Sequence, residues 1–285
     1  PYTNKPAEIT PGVANYYASS YYDGMDYSNI LVKTREGRPI FVKGNAATGI
    51  GEGKANARVI GSVMGLYDKA RLEGPTKNGE ATTWSDLDTA VSKSINGNGR
   101  AVVLSNTIVS PSTKKAIEAL GAEHIQYDAI SYRALREAHA TSFGVNAVPH
   151  YDFSKAKVVV SIAADFLNSW LTSTQFAPDY ASLRNPNGGS QSKHFQFESV
   201  MSMTGTNADV RTMISPSEEG KVASGILAVL EGRSVSSLDS KLASSISAAA
   251  KALTGSKGES LLIAGTNDIS TQTIVAAINQ LLGNY

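Results

Sequence analysis

One acidic side chain stands where α/β proteins commonly bind ligands. Asp165 follows a run of apolar, mostly β-branched residues at 157–162, which is typical of a parallel strand buried on both faces. Ligands of open α/β sheets lie beyond the carboxyl ends of such strands, where an acid can bind a ribose hydroxyl. Asp165 is therefore a candidate ligand-binding residue. An aspartate in this position can instead cap the next helix, and the sequence favours that role.

A glycine-rich loop is the second feature with possible binding chemistry. Its glycines are Gly44, Gly49, Gly51 and Gly53. Backbone amides in such loops can surround a phosphate, but this spacing matches neither the dinucleotide-binding fingerprint nor the P-loop. We therefore interpret the loop as a flexible connector.

The histidines show no spacing that indicates a metal site. They are His124, His139, His150 and His194. Surface or structural roles are the expectation for each. The serine nucleophile elbow, the zinc-binding H-E-x-x-H motif and the EF-hand loop are also absent from the sequence. The residues alone therefore predict no catalytic group and no metal site.

Composition excludes several classes of function. The chain has 285 residues and a net charge of +1, without a dense Lys/Arg run, so we expect no nucleic-acid partner. No run approaches eighteen apolar residues, so we expect no direct membrane span. The first residues are polar, so we expect any targeting peptide to be absent or already removed. The lack of cysteine excludes disulfides and cysteine-ligated zinc or iron–sulfur clusters within this segment.

Residues 100–127 carry the strongest fold signal. A short apolar run precedes Ser110 and Pro111, which suit the cap and first position of a helix. Gly121 suits the end of that helix, and residues 124–127 predict the next strand. A strand, a helix and a second strand in this order predict a right-handed crossover and a parallel sheet. We expect the first strand to be buried on both faces.

Other patterns extend this picture to the whole chain. The segment at 28–43 alternates apolar and polar residues around Glu36-Gly37 and predicts a β-hairpin. Further strands are predicted at 157–162, 195–203, 210–214 and 259–264, and helices at 56–67, 132–143, 238–253 and 271–282. A helix capped by Ser85 is also predicted, and so is a helix that opens at 216–219. The fold class is therefore α/β: Rossmann-like parallel sheets with flanking helices, preceded by a small N-terminal β-hairpin region.

Several blocks, taken in order, resemble the molybdopterin oxidoreductases. The block DYSNILVKTREGRPI at 26–40, with Gly44 and Asn45, is similar to that family's opening hairpin. LYDKARLEGP at 66–75 and TWSDL at 83–87 resemble its passage into the first Rossmann-like domain. Segments 157–162, 195–203 and 208–209 resemble its second α/β region, and 259–283 resembles the return to the first.

The resemblance implies a domain organisation. An extended N-terminal arm would occupy residues 1–25, and a hairpin and helix region would occupy 26–82. The first Rossmann-like α/β domain would combine residues 83–155 with 255–285. The second α/β domain would occupy 156–254.

Departures from the family pattern bear on the cofactor. Many members hold an iron–sulfur cluster on cysteines near the hairpin, and this chain has none. Active members ligate the metal just after the strand that corresponds to 124–127, where this chain reads DAISY. The resemblance makes Asp128 and Ser131, beside Asp165, the candidates for cofactor binding. The signatures that hold the pterin dinucleotide are degraded.

The tyrosine-rich approach to the hairpin, YYASSYYDG at 16–24, is similar to that of the large iron–sulfur subunits of alternative complex III. That resemblance implies a cofactor-free scaffold in a quinol-oxidising respiratory complex, on the periplasmic side of a bacterial inner membrane. Its partners would be a ferredoxin-like region of the same polypeptide, which would carry the iron–sulfur clusters, and haem-protein and membrane subunits. The alternative is an active molybdenum–pterin oxidoreductase whose cofactor site is completed by further domains.

Overall fold

The computed structural model describes residues 8–49, 53–97, 99–189, 191–235 and 238–285. Within these ranges the fold consists of two parallel sheets, an N-terminal antiparallel sheet, a short hairpin and the helices that connect them. Parallel sheets with flanking helices, preceded by antiparallel hairpin strands, confirm the predicted fold class. Within the described ranges, no helix is long and apolar enough to cross a membrane.

The N-terminal sheet consists of β1 (Ala14–Tyr22), β2 (Tyr27–Arg35) and β3 (Arg38–Gly44), which pair in antiparallel fashion. Glu36 and Gly37 connect β2 to β3 with positive φ angles of 51° and 78°. Two consecutive positive φ angles are what a two-residue type I′ hairpin requires. The predicted hairpin is therefore confirmed.

The predicted arm at 1–25 lies partly outside the described residues, because the description begins at residue 8. Within it, β1 pairs along its whole length with β2, from Ala14 opposite Arg35 to Tyr22 opposite Tyr27. Residues 14–22 are therefore an edge strand of the sheet.

The region after this sheet is less regular than predicted. The predicted helix at 56–67 divides into α1 (Ala57–Gly61) and a 3-10 turn over Ser62–Tyr67. The Ser62 hydroxyl donates to the carbonyl oxygen of Val59 at 2.7 Å, which competes with continued α-helical bonding. A short hairpin of β4 (Thr76–Lys77) and β5 (Glu80–Ala81) follows.

A cap at Ser85 would place the first residue of the next helix at 86. Helix α2 (Trp84–Ile95) instead begins two residues earlier. Its cap is Thr83, whose hydroxyl oxygen accepts from the Asp86 amide at 3.1 Å. The same hydroxyl donates to the Asp86 carboxylate at 2.7 Å, and this second bond favours Thr83 over Ser85.

The first parallel sheet is a two-stranded unit that confirms the predicted strand–helix–strand order. It comprises β6 (Val102–Ser105), α3 (Pro111–Ala119) and β7 (Glu123–Gln126), and the strands pair in parallel. Ser110 caps α3 as predicted. The expected burial of β6 is wrong: its Leu104 is 69% exposed, because the helices in the described part of the chain leave one face of this pair uncovered. Helix α4 (Arg133–Phe143) follows and ends at Gly144 as predicted.

The second parallel sheet has the strand order β10-β9-β8-β11. Its strands are β8 (Val158–Ile162), β9 (Lys193–Glu198), β10 (Val210–Met213) and β11 (Ser260–Ala264). The resemblance implied that 255–285 belongs to the first α/β domain, whereas β11 pairs in parallel with β8 of the second sheet. Both strands are almost wholly buried, and a strand of this kind requires neighbours with cover on both faces. The domain division as a whole stays a prediction.

Helices cover both faces of this sheet. They are α5 (Ser173–Ser182), α6 (Met203–Thr206), α7 (Glu219–Leu230), α8 (Ser240–Thr254) and α9 (Ile269–Leu282). On one face Val160 and Leu262 pack with α7, α8 and α9, and on the other Val159 and Ile263 pack in an aromatic cluster around Phe166. Two differences from the prediction occur here: α5 was not predicted, and the strand predicted to reach 203 ends where the loop to α6 begins.

Candidate functional site

A cleft of about 390 Å³ lies between the connection from β1 to β2 and the carboxyl ends of β6 and β7. Large side chains make up much of its wall: Tyr22, Met25, Tyr27, Ile130, Tyr132 and Leu171. A neighbouring pocket of about 440 Å³ shares Tyr22 and Thr107 with it and extends to Ser110 at the start of α3. Parallel α/β units bind ligands at such carboxyl edges, so this cleft is the candidate site.

Asp128 lines the cleft, but its carboxylate already has two partners from one residue. Oδ1 accepts from the Thr107 amide at 2.8 Å, and Oδ2 accepts from the Thr107 hydroxyl at 2.5 Å. These hydrogen bonds lower the pKa of Asp128, with a smaller contribution from the charge of Arg136. Asp128 therefore stays ionised and joins the loops that follow β6 and β7.

Ser131 lies on the wall of the same cleft. Its hydroxyl oxygen accepts a hydrogen bond from the Arg133 amide at 3.2 Å, which is a local turn contact at the start of α4. The structure thus brings Ser131 and Asp128 to one cleft. Asp165, the third candidate, is not among its lining residues.

Asp165 follows β8, where the sequence placed it, and its carboxylate is used within the chain. Oδ1 accepts from the amide and the hydroxyl of Thr204, at 3.1 and 2.7 Å. Oδ2 accepts from Asn168 at 3.1 Å and from Ser169 at 3.3 Å. Asp165 therefore bonds to the first turn of α6, a helix that begins after β9, and holds its own loop against it.

The other sequence candidates show structural contacts. A Cβ on Gly44 would lie 2.2 Å from the carbonyl oxygen of Gly53, so these glycines allow the two ends of their loop to touch. Gly51 lies outside the described residues. His194 is buried between the Tyr180 hydroxyl at 3.1 Å and the Gln196 amide group at 3.2 Å. In the described part of the chain, no three potential His, Asp or Glu ligands gather as a metal site would require.

Sequence reasoning missed the contacts that hold the cleft together. Arg58 of α1 pairs with Asp26 at 2.5 Å and donates to the side chain and the carbonyl oxygen of Asn168. The Tyr132 hydroxyl accepts from the Leu171 amide at 3.0 Å. These residues lie far apart in the sequence, and no local pattern links them.

The residues of the cleft match an anionic dinucleotide poorly. Phosphates bind to free amides, helix N-termini and cations. Here the Thr107 amide bonds to Asp128, whose charge repels an anion. Among the described residues that line the cleft, Arg136 is the only cation. The described residues of this cleft therefore do not fit a pterin dinucleotide.

Comparison with known proteins finds relatives in structure alone: no family model and no curated protein matches the chain. Acetylene hydratase from Pelobacter acetylenicus is similar with a TM-score of 0.56 and 12% identity, over 95% of this chain and 42% of that chain. A formyltransferase/hydrolase complex from Methylorubrum extorquens, in complex with methylofuran, gives a TM-score of 0.47 and 15% identity, over 70% of this chain and 54% of that chain.

These similarities concern the fold. The likeness to acetylene hydratase fits the molybdopterin-oxidoreductase-like fold that the sequence resemblance implies. The chain spans less than half the length of that neighbour.

Proposed function

We propose that this chain is a structural and docking segment of a respiratory, quinol-oxidising electron-transfer complex, with a molybdopterin-oxidoreductase-like fold that works without a pterin cofactor. The observation that carries the proposal is the exposure of the β6–β7 pair. Two parallel strands with apolar side chains form a surface that is suited to be covered by further protein.

The exposure of this pair is unusual for parallel strands. Leu104 is 69% exposed, Val102 is 45% exposed and Ile125 is 40% exposed. Parallel sheets occur almost only where both faces are covered, and two strands alone are at best marginally stable. Val109, which follows β6, adds to the same apolar region at 60% exposure. Covering these side chains removes apolar surface from water and stabilises the unit.

We propose that the cover comes first from the remainder of the same polypeptide, including a ferredoxin-like region that carries iron–sulfur clusters. Haem-protein and membrane subunits would be the further partners, on the periplasmic side of the bacterial inner membrane. The resemblance to large subunits of alternative complex III supports this placement. The length of the structural neighbour, of which the chain matches 42%, is consistent with additional domains. Electrons would then pass through centres outside this segment.

The cofactor-free part of the proposal is supported by the contacts of the candidate residues. Asp128 bonds to Thr107, and Asp165 bonds to Thr204, Asn168 and Ser169, so both carboxylates already have internal partners. The cleft wall carries large aromatic and aliphatic side chains. Few groups in this wall would attract the phosphates of a pterin dinucleotide.

The alternative, an active molybdenum–pterin oxidoreductase, is favoured by one observation. Asp128 and Ser131 share a cleft at the carboxyl ends of parallel strands, which is the place where an α/β protein binds a cofactor. In this reading, further domains would supply the cations and amides that the described residues lack.

The first test measures molybdenum and tungsten by elemental mass spectrometry, with pterin fluorescence, on the full-length protein from its own host. Metal and pterin at background support the proposed function. Metal and pterin near one per chain would overturn it and favour the enzyme.

The docking part is tested by Leu104→Lys in the same host, with Leu72→Lys, at a 79% exposed leucine, as the matched control. On native gels, we expect the amount of the Leu104 variant that co-migrates with haem-containing and membrane subunits to fall at least about tenfold. The Leu72 variant should retain it. Equal co-migration of both variants with wild type would argue against docking through this sheet.

A further inference from the structure

The switch point of the second parallel sheet lies between β8 and β11. In the order β10-β9-β8-β11, the chain leaves β8 towards one edge of the sheet and returns to pair β11 on the other side. Loops after two such strands normally diverge and leave a crevice in which nucleotides bind. The crevice is a second place at which a chain of this topology can take a ligand, and it adjoins the cleft, whose wall includes Tyr132 and Leu171.

The mouth of this crevice is narrowed by contact between its two loops. The Gly265 amide donates to the carbonyl oxygen of Ile162 at 2.8 Å, which continues the strand pairing past the end of β11. A Cβ on Gly265 would lie 2.3 Å from the carbonyl oxygen of Ala163. The two backbones are therefore too close to admit a ligand atom between them.

The start of α4 lies across both loops. The Ala134 amide donates to Oδ1 of Asn267, in the loop after β11, at 3.0 Å. The Leu171 amide, in the loop after β8, donates to the Tyr132 hydroxyl at 3.0 Å. Residues 132–134 therefore bond to both of the loops that flank the switch point.

The hydrogen bonds at the start of α4 are of the kind that a bound ligand would make there. Helix α4 has no cap from the side chain of Tyr132, its own N-terminal residue. A bound phosphate can accept from free amides at such a helix start, and here the side-chain oxygen of Asn267 takes that role. Gln272 fixes the loop of Asn267, because its side-chain amide donates to the carbonyl oxygens of Ala264 and Thr266 at 2.9 and 2.7 Å.

We infer that the chain seals its own switch point with residues 132–134, and that Asn267 and Tyr132 are the positioning residues that hold this seal. The seal excludes nucleotides from the carboxyl edge of the second sheet and fixes α4 to it. The inference rests on the proposed function and deepens it. A segment that works without a cofactor can keep the carboxyl edge of its second sheet closed to ligands.

Amide hydrogen exchange with residue-level mass spectrometry tests the seal on the full-length protein. We expect exchange to accelerate about tenfold or more at Ala134 in Asn267→Ala and at Leu171 in Tyr132→Phe. Exchange at Val160, inside β8, should stay unchanged, which separates opening of the seal from global destabilisation. Asn185→Ala, in a loop away from the switch point, is the control and should change neither site.

A binding experiment with NADH and guanosine diphosphate, each at millimolar concentration, provides the second readout. Neither probe should slow exchange at Ala134 or Leu171 in the wild type. The inference is overturned if these amides exchange in the wild type as fast as unbonded amides, or if either probe protects them. Pterin in the native protein together with protected amides would overturn the proposed function and leave the seal standing. Unprotected amides at Ala134 and Leu171 in metal-free protein would overturn the seal and leave the proposed function standing.

Discussion

The Nε atom of Arg58 lies 2.5 Å from Oδ2 of Asp26, a carboxylate that is only 1% exposed. Asp26 belongs to the connection between β1 and β2. Arg58 also donates to the Asn168 carbonyl oxygen in the loop after β8, at 2.5 Å. Asp26 further accepts from the Ser173 hydroxyl at 3.3 Å. This ion pair therefore joins the N-terminal sheet to the carboxyl edge of the second parallel sheet.

Arg58→Ala should lower the free energy of unfolding by about 3 kcal/mol, because it leaves the Asp26 carboxylate buried without its counter-ion. Urea denaturation of the variant and the wild type measures the loss. Lys157→Ala is the control, since Lys157 and Glu259 form an ion pair with both side chains more than half exposed. Its removal should cost less than about 1 kcal/mol. Equal losses in the two variants would contradict the structural role of Arg58.

Gly265→Ala should destabilise the protein by about 2 kcal/mol or more, because its Cβ would meet backbone atoms that cannot rotate away. The nearest is the Ala163 carbonyl oxygen at 2.3 Å. Gly61→Ala is the matched substitution in α1, where a Cβ would have no neighbour within 4 Å among the described atoms. That variant should be neutral or more stable by up to about 1 kcal/mol. Equal shifts of the thermal unfolding midpoint in Gly265→Ala and Gly61→Ala would rule out the close contact at Gly265.

Local signals were sufficient to predict elements whose ends depend on nearby residues. Ser110 and Pro111 define the start of α3, and Gly121, with a φ of 67°, follows its end. The cap of α2 shows the limit of such signals. Thr83 and Ser85 both suit a cap, and the choice depends on a side-chain contact of Thr83 with Asp86.

Burial and strand partners could not be predicted in the same way. The strands Val102–Ser105 and Ser260–Ala264 are both short and apolar, yet the first is exposed and the second is buried. The buried strand has α7, α8 and α9 over one face and the aromatic cluster around Phe166 over the other, and neither cover is encoded in the strand itself.

The candidate site was predicted only in its location. Asp165 lies beyond a buried strand, as the sequence indicates, but the predicted capping of the next helix is wrong, because the N-cap residue of α5 is Thr172. Asp165 instead accepts from Thr204 of α6, 39 positions later in the chain. The contacts of Arg58 with Asp26 and of Tyr132 with Leu171 also join distant segments, so only the folded chain reveals them.

Thr107→Val should raise the pKa of Asp128 towards its ordinary value, because the Thr107 hydroxyl makes the largest contribution to the lowered pKa. The remaining bond from the Thr107 amide should keep the pKa below that value. Carboxyl carbon NMR titration of Asp128 measures the change. Thr89→Val is the control, since the Thr89 hydroxyl donates to the Ser85 carbonyl oxygen on α2. An unchanged Asp128 titration in Thr107→Val would show that this hydroxyl is not its partner.

His194 should make the stability of the protein depend on pH. Burial lowers the pKa of His194 to about 4, from an ordinary value near 6.5. The charge of Arg184 also lowers it, whereas the hydrogen bond to Gln196 and the charges of Asp209 and Glu198 raise it. The unfolded chain therefore takes up a proton near pH 6.5, while the folded chain resists protonation until about pH 4.

The sign of the effect follows from this difference. The contribution of neutral His194 is fully present above pH 6.5 and is lost progressively as the pH falls towards 4. Since each pKa unit corresponds to about 1.4 kcal/mol, the loss amounts to about 3 kcal/mol. Urea denaturation of His194→Gln between pH 7 and pH 4 should show a flatter dependence than the wild type. His150→Gln, at an exposed histidine, should retain the wild-type slope. Parallel curves for wild type and His194→Gln would mean that protonation of His194 does not limit stability in acid.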